Sequence, residues 1–183
     1  MRNRYAFVGG NFGRWRILST TAVCGAGLDP ASHLDIVQVS NSVQDAEAKW
    51  RLHGQISNLR YATLAELTAL RARQEALGRP ATRRAALIPI KKSEVWWQMA
   101  QDERRDIFEA QSHHTAIGLD YLPAVARQLY HARDLGEPFD FLTWFEYDAS
   151  DADAFEDLVR KLRSTREWSF VEREVDVRLE RVD

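Results

Sequence analysis

Cysteine occurs once in the 183 residues, at Cys24. One thiol closes no intrachain disulfide and builds neither a zinc knuckle nor an iron–sulfur cluster, so any metal held by this chain needs other ligands. Long apolar runs are missing too: no stretch of eighteen apolar residues occurs, and no membrane partner is expected. The basic start, MRNRYAFVGGNFGRW, is broken by Gly9, Gly10, Asn11 and Gly13 before a signal-like apolar region forms. A cytoplasmic protein is the expectation, and a periplasmic form with its leader removed would read the same. An excess of positive charge is also absent, with 25 Lys and Arg against 27 Asp and Glu. Nucleic acid, whose binding requires phosphate neutralisation, is therefore not an expected partner. There is no HExxH, GxGxxG or Walker sequence, and His33, His53 and His131 lack companions at zinc-ligand spacing. Gly9, Gly10 and Gly13 lack the strand-to-helix context of a phosphate loop, and no Ser or Cys sits in a nucleophile elbow.

What is present is a core-forming chain: 45% of the residues are apolar, enough for one domain or two small halves packed as one unit. Short or alternating apolar runs bounded by turn residues predict strands at 4–8, 14–23, 34–39, 84–90, 139–147 and 168–179. Three-and-four spacing with strong helix formers predicts helices over 63–77, 93–110, 118–134 and 151–164, with Asp151 as a start signal and Gly78 followed by Pro80 as a stop. In FDFLTWFEYD, Phe141, Thr143, Phe145 and Tyr147 share one face and Leu142, Trp144 and Glu146 the other. Apolar groups on both faces predict a central, covered strand. The element order over 84–179 suits a ferredoxin-like α+β unit, and a less regular version precedes it. Charge is uneven, with 16 basic and 11 acidic side chains in residues 1–110 against 9 and 16 in 111–183; a solvated acidic helix and strand accounts for this. No repeat of fixed period, low-complexity segment or long linker occurs.

Chemistry concentrates in HHTAIGLDYLPAVARQLY, where the pair His113 and His114 is followed thirteen residues after His114 by Arg127. This suits a metal ligand and a cation facing one pocket, although a histidine pair near a helix end is more often structural. Company raises its weight: Lys92, Trp96 and Trp97 lie upstream in IKKSEVWWQM and Glu167 downstream in TREWSF. A neutral imidazole at His114 could bind iron while its other ring N–H donates to a carboxylate such as Glu167. Lys92 and Trp96 lie one turn apart if the helix reaches back that far, so both could donate to haem propionates, with Trp97 facing the macrocycle or the core beside Met99. Arg127 sits among Ala124, Val125, Ala126 and Leu129, where a guanidinium needs an anion to face. Thr143 and Phe145 would line the distal wall. Each has a plainer alternative: tryptophans as core packing, lysine and glutamate as solvated charges, Arg127 paired with Asp120, Thr143 and Phe145 as ordinary core.

These residues resemble the chlorite dismutase family, haem b enzymes related to dye-decolourising peroxidases and coprohaem decarboxylases. The resemblance covers about Ile88 to Phe170, and its most specific part runs from His114 through Arg127 and QLYHARDL into FDFLTWFEY, with IPIKKSEVWWQM upstream. It implies a ferredoxin-like dimeric α+β barrel with a truncated N-terminal half (1–83) and a haem-binding C-terminal half (84–183). By the same resemblance His114 is the proximal iron ligand and Glu167 its hydrogen-bond partner. Lys92 and Trp96 are haem-associated, Arg127 is the distal arginine, and His113 is the ligand only if the register is one residue off. The cofactor implied is haem b, the substrate chlorite, the products chloride and dioxygen, and the assembly the homodimer of the short lineage. Coprohaem decarboxylation or peroxidase chemistry on the same fold, a non-catalytic haem protein and a haem-free binding module are the alternatives. A distal arginine is typically absent from the decarboxylases, so Arg127 favours chlorite.

Overall fold

A computed structural model describes residues 3–39, 48–56 and 63–182. Its eight strands are β1 (Arg4–Gly10), β2 (Trp15–Cys24), β3 (His33–Gln38), β4 (Trp50–Gln55), β5 (Arg84–Lys92), β6 (Ala126–His131), β7 (Phe141–Tyr147) and β8 (Val171–Arg181). The helices are α1 (Leu64–Arg73), α2 (Glu94–Gln98), α3 (Gln101–Arg105), α4 (His114–Asp120) and α5 (Ala152–Arg163). All the strands join one closed barrel in the order β1-β3-β2-β8-β5-β7-β6-β4. Around that circle each half places its fourth strand beside its first, then its third, then its second, which is the ferredoxin-like order. The expected α+β barrel of ferredoxin-like type is the fold.

In the C-terminal half, helices connect the strands and cover the sheet. β5 and β7 are buried on both faces because they are sandwiched: Ala85, Leu87, Leu142 and Trp144 point into the barrel, while Ala86, Ile88, Ile90 and Phe145 point outward under the helices. α5 supplies that cover with Phe155, Leu158, Val159 and Leu162, an i, i+3, i+4, i+7 stripe buried against the sheet. The strand predicted over 139–147 is central, between β5 and β6.

Two strands run against the sequence expectation. The stretch predicted as a helix over 118–134 is α4 followed by β6, because Pro123 removes an N–H and disfavours helical backbone before it. Beyond it, Tyr130 faces the barrel while Arg127, Leu129 and His131 face outward, a period of two hidden under helix-forming residue types. β4 had no forecast at all. The helix predicted over 93–110 breaks into α2, α3 and a π-helical turn at Asp106–Gln111. Asp151 stands at the N-cap of α5 but makes no capping hydrogen bond.

The N-terminal half keeps the strand order without a helix between β1 and β2. β1 ends opposite His33, and β2 begins opposite Leu34 on the other side of β3. Residues 11–14 cross β3 directly, with Gly13 at φ 150°; a Cβ there would lie 2.4 Å from the Leu34 carbonyl oxygen. Only glycine fits that crossing.

Candidate functional site

The π-helical turn ends at Ser112, and His113 adopts left-handed backbone at φ 51°, ψ 35°, uncommon for a residue with a Cβ. That turn redirects the chain, so α4 opens at His114 with the imidazole beside the sheet. π turns and left-handed residues both concentrate at functional sites. His113 itself is exposed.

His114 Nδ1 lies 2.6 Å from Glu167 Oε2, and Lys92 Nζ donates to Glu167 Oε1 at 2.7 Å. Ser112 Oγ accepts the Glu167 backbone N–H at 3.0 Å. Lys92 is not on a helix with Trp96, as the sequence suggested; it ends β5, is 2% exposed, and its head stands behind the histidine. Burial drives the Lys92 pKa down, opposed by Glu167, Asp140 and Glu174. Burial also pushes the Glu167 carboxyl up, but His114 and Lys92 outweigh it and hold the group at about 2. An ionised Glu167 only accepts, so Nδ1 is the donor, and Nε2 is the nitrogen left for another partner. Two aromatic rings lie nearly parallel to the imidazole, Phe108 at 4.4 Å and Trp168 at 6.5 Å between ring centres.

His114 lines a cavity of about 260 Å³ between the outer face of β5, β6 and β7 and the helices. Its walls are largely apolar, with Ile88, Ile90, Leu129, Phe141, Val159 and Leu162 among them. Thr143 and Phe145 share the β7 face that lines it, and Trp96 lines it while being 1% exposed. Trp97 is not among its walls: the indole N–H donates to Asp140 Oδ2 at 3.0 Å and the ring stacks on Phe141. Asp140 also accepts the Lys92 backbone N–H at 2.7 Å, so it ties the end of β5 to α2.

Arg127 reaches the cavity from β6, and its Nη1 would be 2.7 Å from a Cβ on Gly118. Asp120 is not its counter-charge. Burial lowers the guanidinium pKa, the Glu109 charge opposes this, and the group remains a cation. Gln74, just beyond α1 and unmarked by any sequence pattern, donates to the Arg127 carbonyl oxygen at 2.6 Å and lines the same cavity. Phe108, Ser112, His131 and Asp140 were also missed. Ser112 meets Glu167, and Asp140 meets Lys92 and Trp97, across more than 40 residues of chain, a separation that spacing does not reveal.

The donor set bears on which group fits. No cluster of three or more His, Cys, Asp or Glu able to hold a metal ion occurs among the described residues. A single pinned imidazole on an apolar cavity suits a metal that brings its own equatorial ligands, as haem iron does. Gly118, one helical turn after His114 on α4, leaves the space that the Arg127 guanidinium fills. The residues present fit haem.

The family model for chlorite dismutase matches residues 33–181. The chain is 37% identical over 87 residues to the chlorite dismutase of Ideonella dechloratans; the match spans 48% of this chain and 28% of that protein. The crystal structure of dimeric chlorite dismutases from Nitrobacter winogradskyi superposes with a TM-score of 0.91 at 56% identity, covering 97% of this chain and 99% of that one. A variant chlorite dismutase from Candidatus Nitrospira defluvii shares the fold at 19% identity, with a TM-score of 0.72 over 100% of this chain and 92% of that one. By the family match, and by the identity that runs through almost its whole length, this chain belongs to the chlorite dismutase family.

Proposed function

We propose that this protein is a haem b enzyme that converts chlorite to chloride and dioxygen, with His114 as the iron ligand and Arg127 as the group that positions the anion. One observation carries the reading: a part-buried imidazole whose Nδ1 is bound to Glu167 and a guanidinium that pairs with no carboxylate among the described residues face the same largely apolar cavity. Haem iron, when bound, supplies the redox chemistry that breaks Cl–O bonds and forms the O–O bond.

The chain's residues have separable tasks. Glu167 holds the His114 proton at Nδ1, which fixes the tautomer and enriches the ring in electron density. Lys92 neutralises Glu167 where neither charge meets water, and Asp140 anchors the strand end that carries the lysine. Arg127 attracts a small anion into a low-dielectric cavity and keeps the chlorine-containing fragment there until dioxygen has formed. Gln74 fixes the backbone of that arginine. Thr143 and Phe145 form the wall opposite the helices, and the apolar lining excludes water. The Nitrobacter relative's structure is described as dimeric, and a homodimer is proposed here too, which light scattering would read as twice the 21.1 kDa chain mass.

The test is dioxygen release on adding chlorite to the haem-loaded protein, with Arg127→Ala and free haemin beside it. Release far above haemin, with Arg127→Ala slower by at least about tenfold or leaking hypochlorite, is expected. No dioxygen from a protein with a ferric haem spectrum would reject the reaction and direct the assays to coprohaem decarboxylation and peroxidase activity.

A further inference from the structure

The structure points to Glu174 as a positioning residue that we infer sets the plane of the His114 imidazole through Trp168. The inference rests on the haem reading for its consequence and on this chain's own contacts for its geometry.

Two buried carboxylates on the cavity are used in the same way. Glu167 gives one oxygen to a cation, Lys92, and the other to a ring nitrogen, His114 Nδ1. Glu174 gives Oε1 to a cation, the Arg163 guanidinium, whose Nε lies at 2.8 Å, and Oε2 to a ring nitrogen, Trp168 Nε1, at 2.8 Å. The two rings held in this way lie within 17° of parallel. Phe108 lies 4.4 Å from the imidazole at 22°. The histidine is thus held in the ring plane by Glu167 and against tilting by two aromatic plates.

The plates differ in how they are fixed. Trp168 follows Glu167 in a short 3-10 turn, Arg166–Phe170, and is partly exposed. Its side chain has one polar atom, and that atom is spent on Glu174. Glu174 is 1% exposed, so its carboxylate needs both partners where it lies. Arg163 does not depend on Glu174 alone, since its Nη2 also reaches Asp176 Oδ2 at 2.8 Å. The contact that only Glu174 makes is the one to Trp168. Lys92 Nζ lies 5.4 Å from the Trp168 ring centre, so the same indole also covers the ammonium that neutralises Glu167. A loose Trp168 would slacken both the imidazole plane and the lysine behind it.

The test is electron paramagnetic resonance of the ferric haem protein as its cyanide adduct, because low-spin g values follow the orientation of the axial imidazole plane. Wild type should give one narrow set of g values. Glu174→Leu should broaden or split that set, and Glu174→Gln, whose amide oxygen still accepts the indole N–H, should restore it. Trp168→Phe, a plate without a tether, should broaden it as Glu174→Leu does, and the double variant should add nothing. A merely structural Glu174 would act as strongly in the Trp168→Phe background, and that additivity would overturn the inference. If Glu174→Leu does not fold, Trp168→Phe against Glu174→Gln decides: a broadened spectrum for the first and a wild-type spectrum for the second support the tether, and an unchanged Trp168→Phe spectrum refutes it. If haemin gives the wild-type protein no Soret band, the haem reading fails separately. The tether is then read from the Trp168 indole N–H by nuclear magnetic resonance: slow solvent exchange in wild type and fast exchange in Glu174→Leu support it, and equal exchange in both refutes it.

Discussion

The two halves of the barrel arrange their strands in the same order and differ in what lies outside them. In the C-terminal half, helices run between β5 and β6 and between β7 and β8 and stand off the sheet far enough to leave a cavity, into which α4 brings His114 and β6 brings Arg127. In the N-terminal half, the first crossover shrinks to residues 11–14, threaded over β3 at Gly13. Most of β2 is exposed beyond that crossing. A sheet order specifies a barrel, then, but the site forms over the half whose outer face the helices cover, with Leu70 and Gln74 reaching it from the N-terminal half. The seams differ too: β2 pairs with β8 along most of its length, whereas β4 meets β6 through Gln55 and His131.

The strongest way to break the contrast is in the helical half. Glu167→Leu leaves the 2% exposed Lys92 ammonium without its main partner, and removing one member of a buried pair costs about 3–5 kcal/mol. Chemical denaturation should show that loss, and haem affinity should fall by about 10- to 100-fold with the carboxylate that binds His114 Nδ1 gone. A variant as stable as wild type would mean that Lys92 is not held in place by Glu167.

In the N-terminal half the corresponding perturbation is Gly13→Ala, which sets a Cβ against the Leu34 carbonyl and forces a disfavoured φ. Strained backbone of this kind costs about 1–3 kcal/mol. Thermal unfolding should register it while haem affinity of the folded protein stays within about twofold, since none of residues 11–14 lines the cavity, nor does Leu34. Loss of haem binding without loss of stability would contradict the separation of the halves.

Acid sharpens the comparison further. The Glu167 carboxyl is held at about 2 against an ordinary 4.5. A depressed carboxyl contributes stability that is fully present above pH 4.5 and is lost as pH falls from there toward 2. The wild-type stability curve should therefore drop across that window, and Glu167→Gln should flatten the drop. An unchanged slope in the variant would assign the acid loss to other carboxylates. The smallest effect is expected from His53→Ala, which removes a 2.7 Å contact from β4 to Glu137, in the turn before β7. Partly exposed pairs contribute about 0–1 kcal/mol, so a shift beyond this would show that the halves are coupled through this pair.

Which parts were legible in the sequence follows the same division of physics. β1, β2, β3, β5 and β7 announce themselves by apolar runs, and α5 by its buried stripe and acidic start. β6 does not, because Ala126 to Leu129 are helix formers whose strand geometry is imposed by the neighbouring β7. β4 is hidden by Arg51, His53 and Gly54, whose strand role is visible only against Tyr130: a Cβ on Gly54 would sit 2.6 Å from the Tyr130 Cβ. Of the candidate site, residue types with unusual company stood out: two adjacent histidines, an arginine in an apolar run, a tryptophan pair. The second partners, Gln74 for Arg127 and Glu174 for Trp168, are ordinary polar residues whose meaning appears only once the chain has folded. Lys92 shows the limit from the other side, for its neighbourhood in sequence suggested a helix and propionates, while the fold buries it behind a histidine 22 residues later.

The central claim is that His114 holds the cofactor in the cavity of the helical half, and haemin titration of three proteins followed at the Soret band tests it most directly. The wild type and His113→Gly, which removes the exposed imidazole and suits the left-handed backbone at that position, should bind one haem per chain with equal affinity, and His114→Ala should lose at least about 100-fold. Equal affinity in His114→Ala, or loss in His113→Gly instead, would contradict the account.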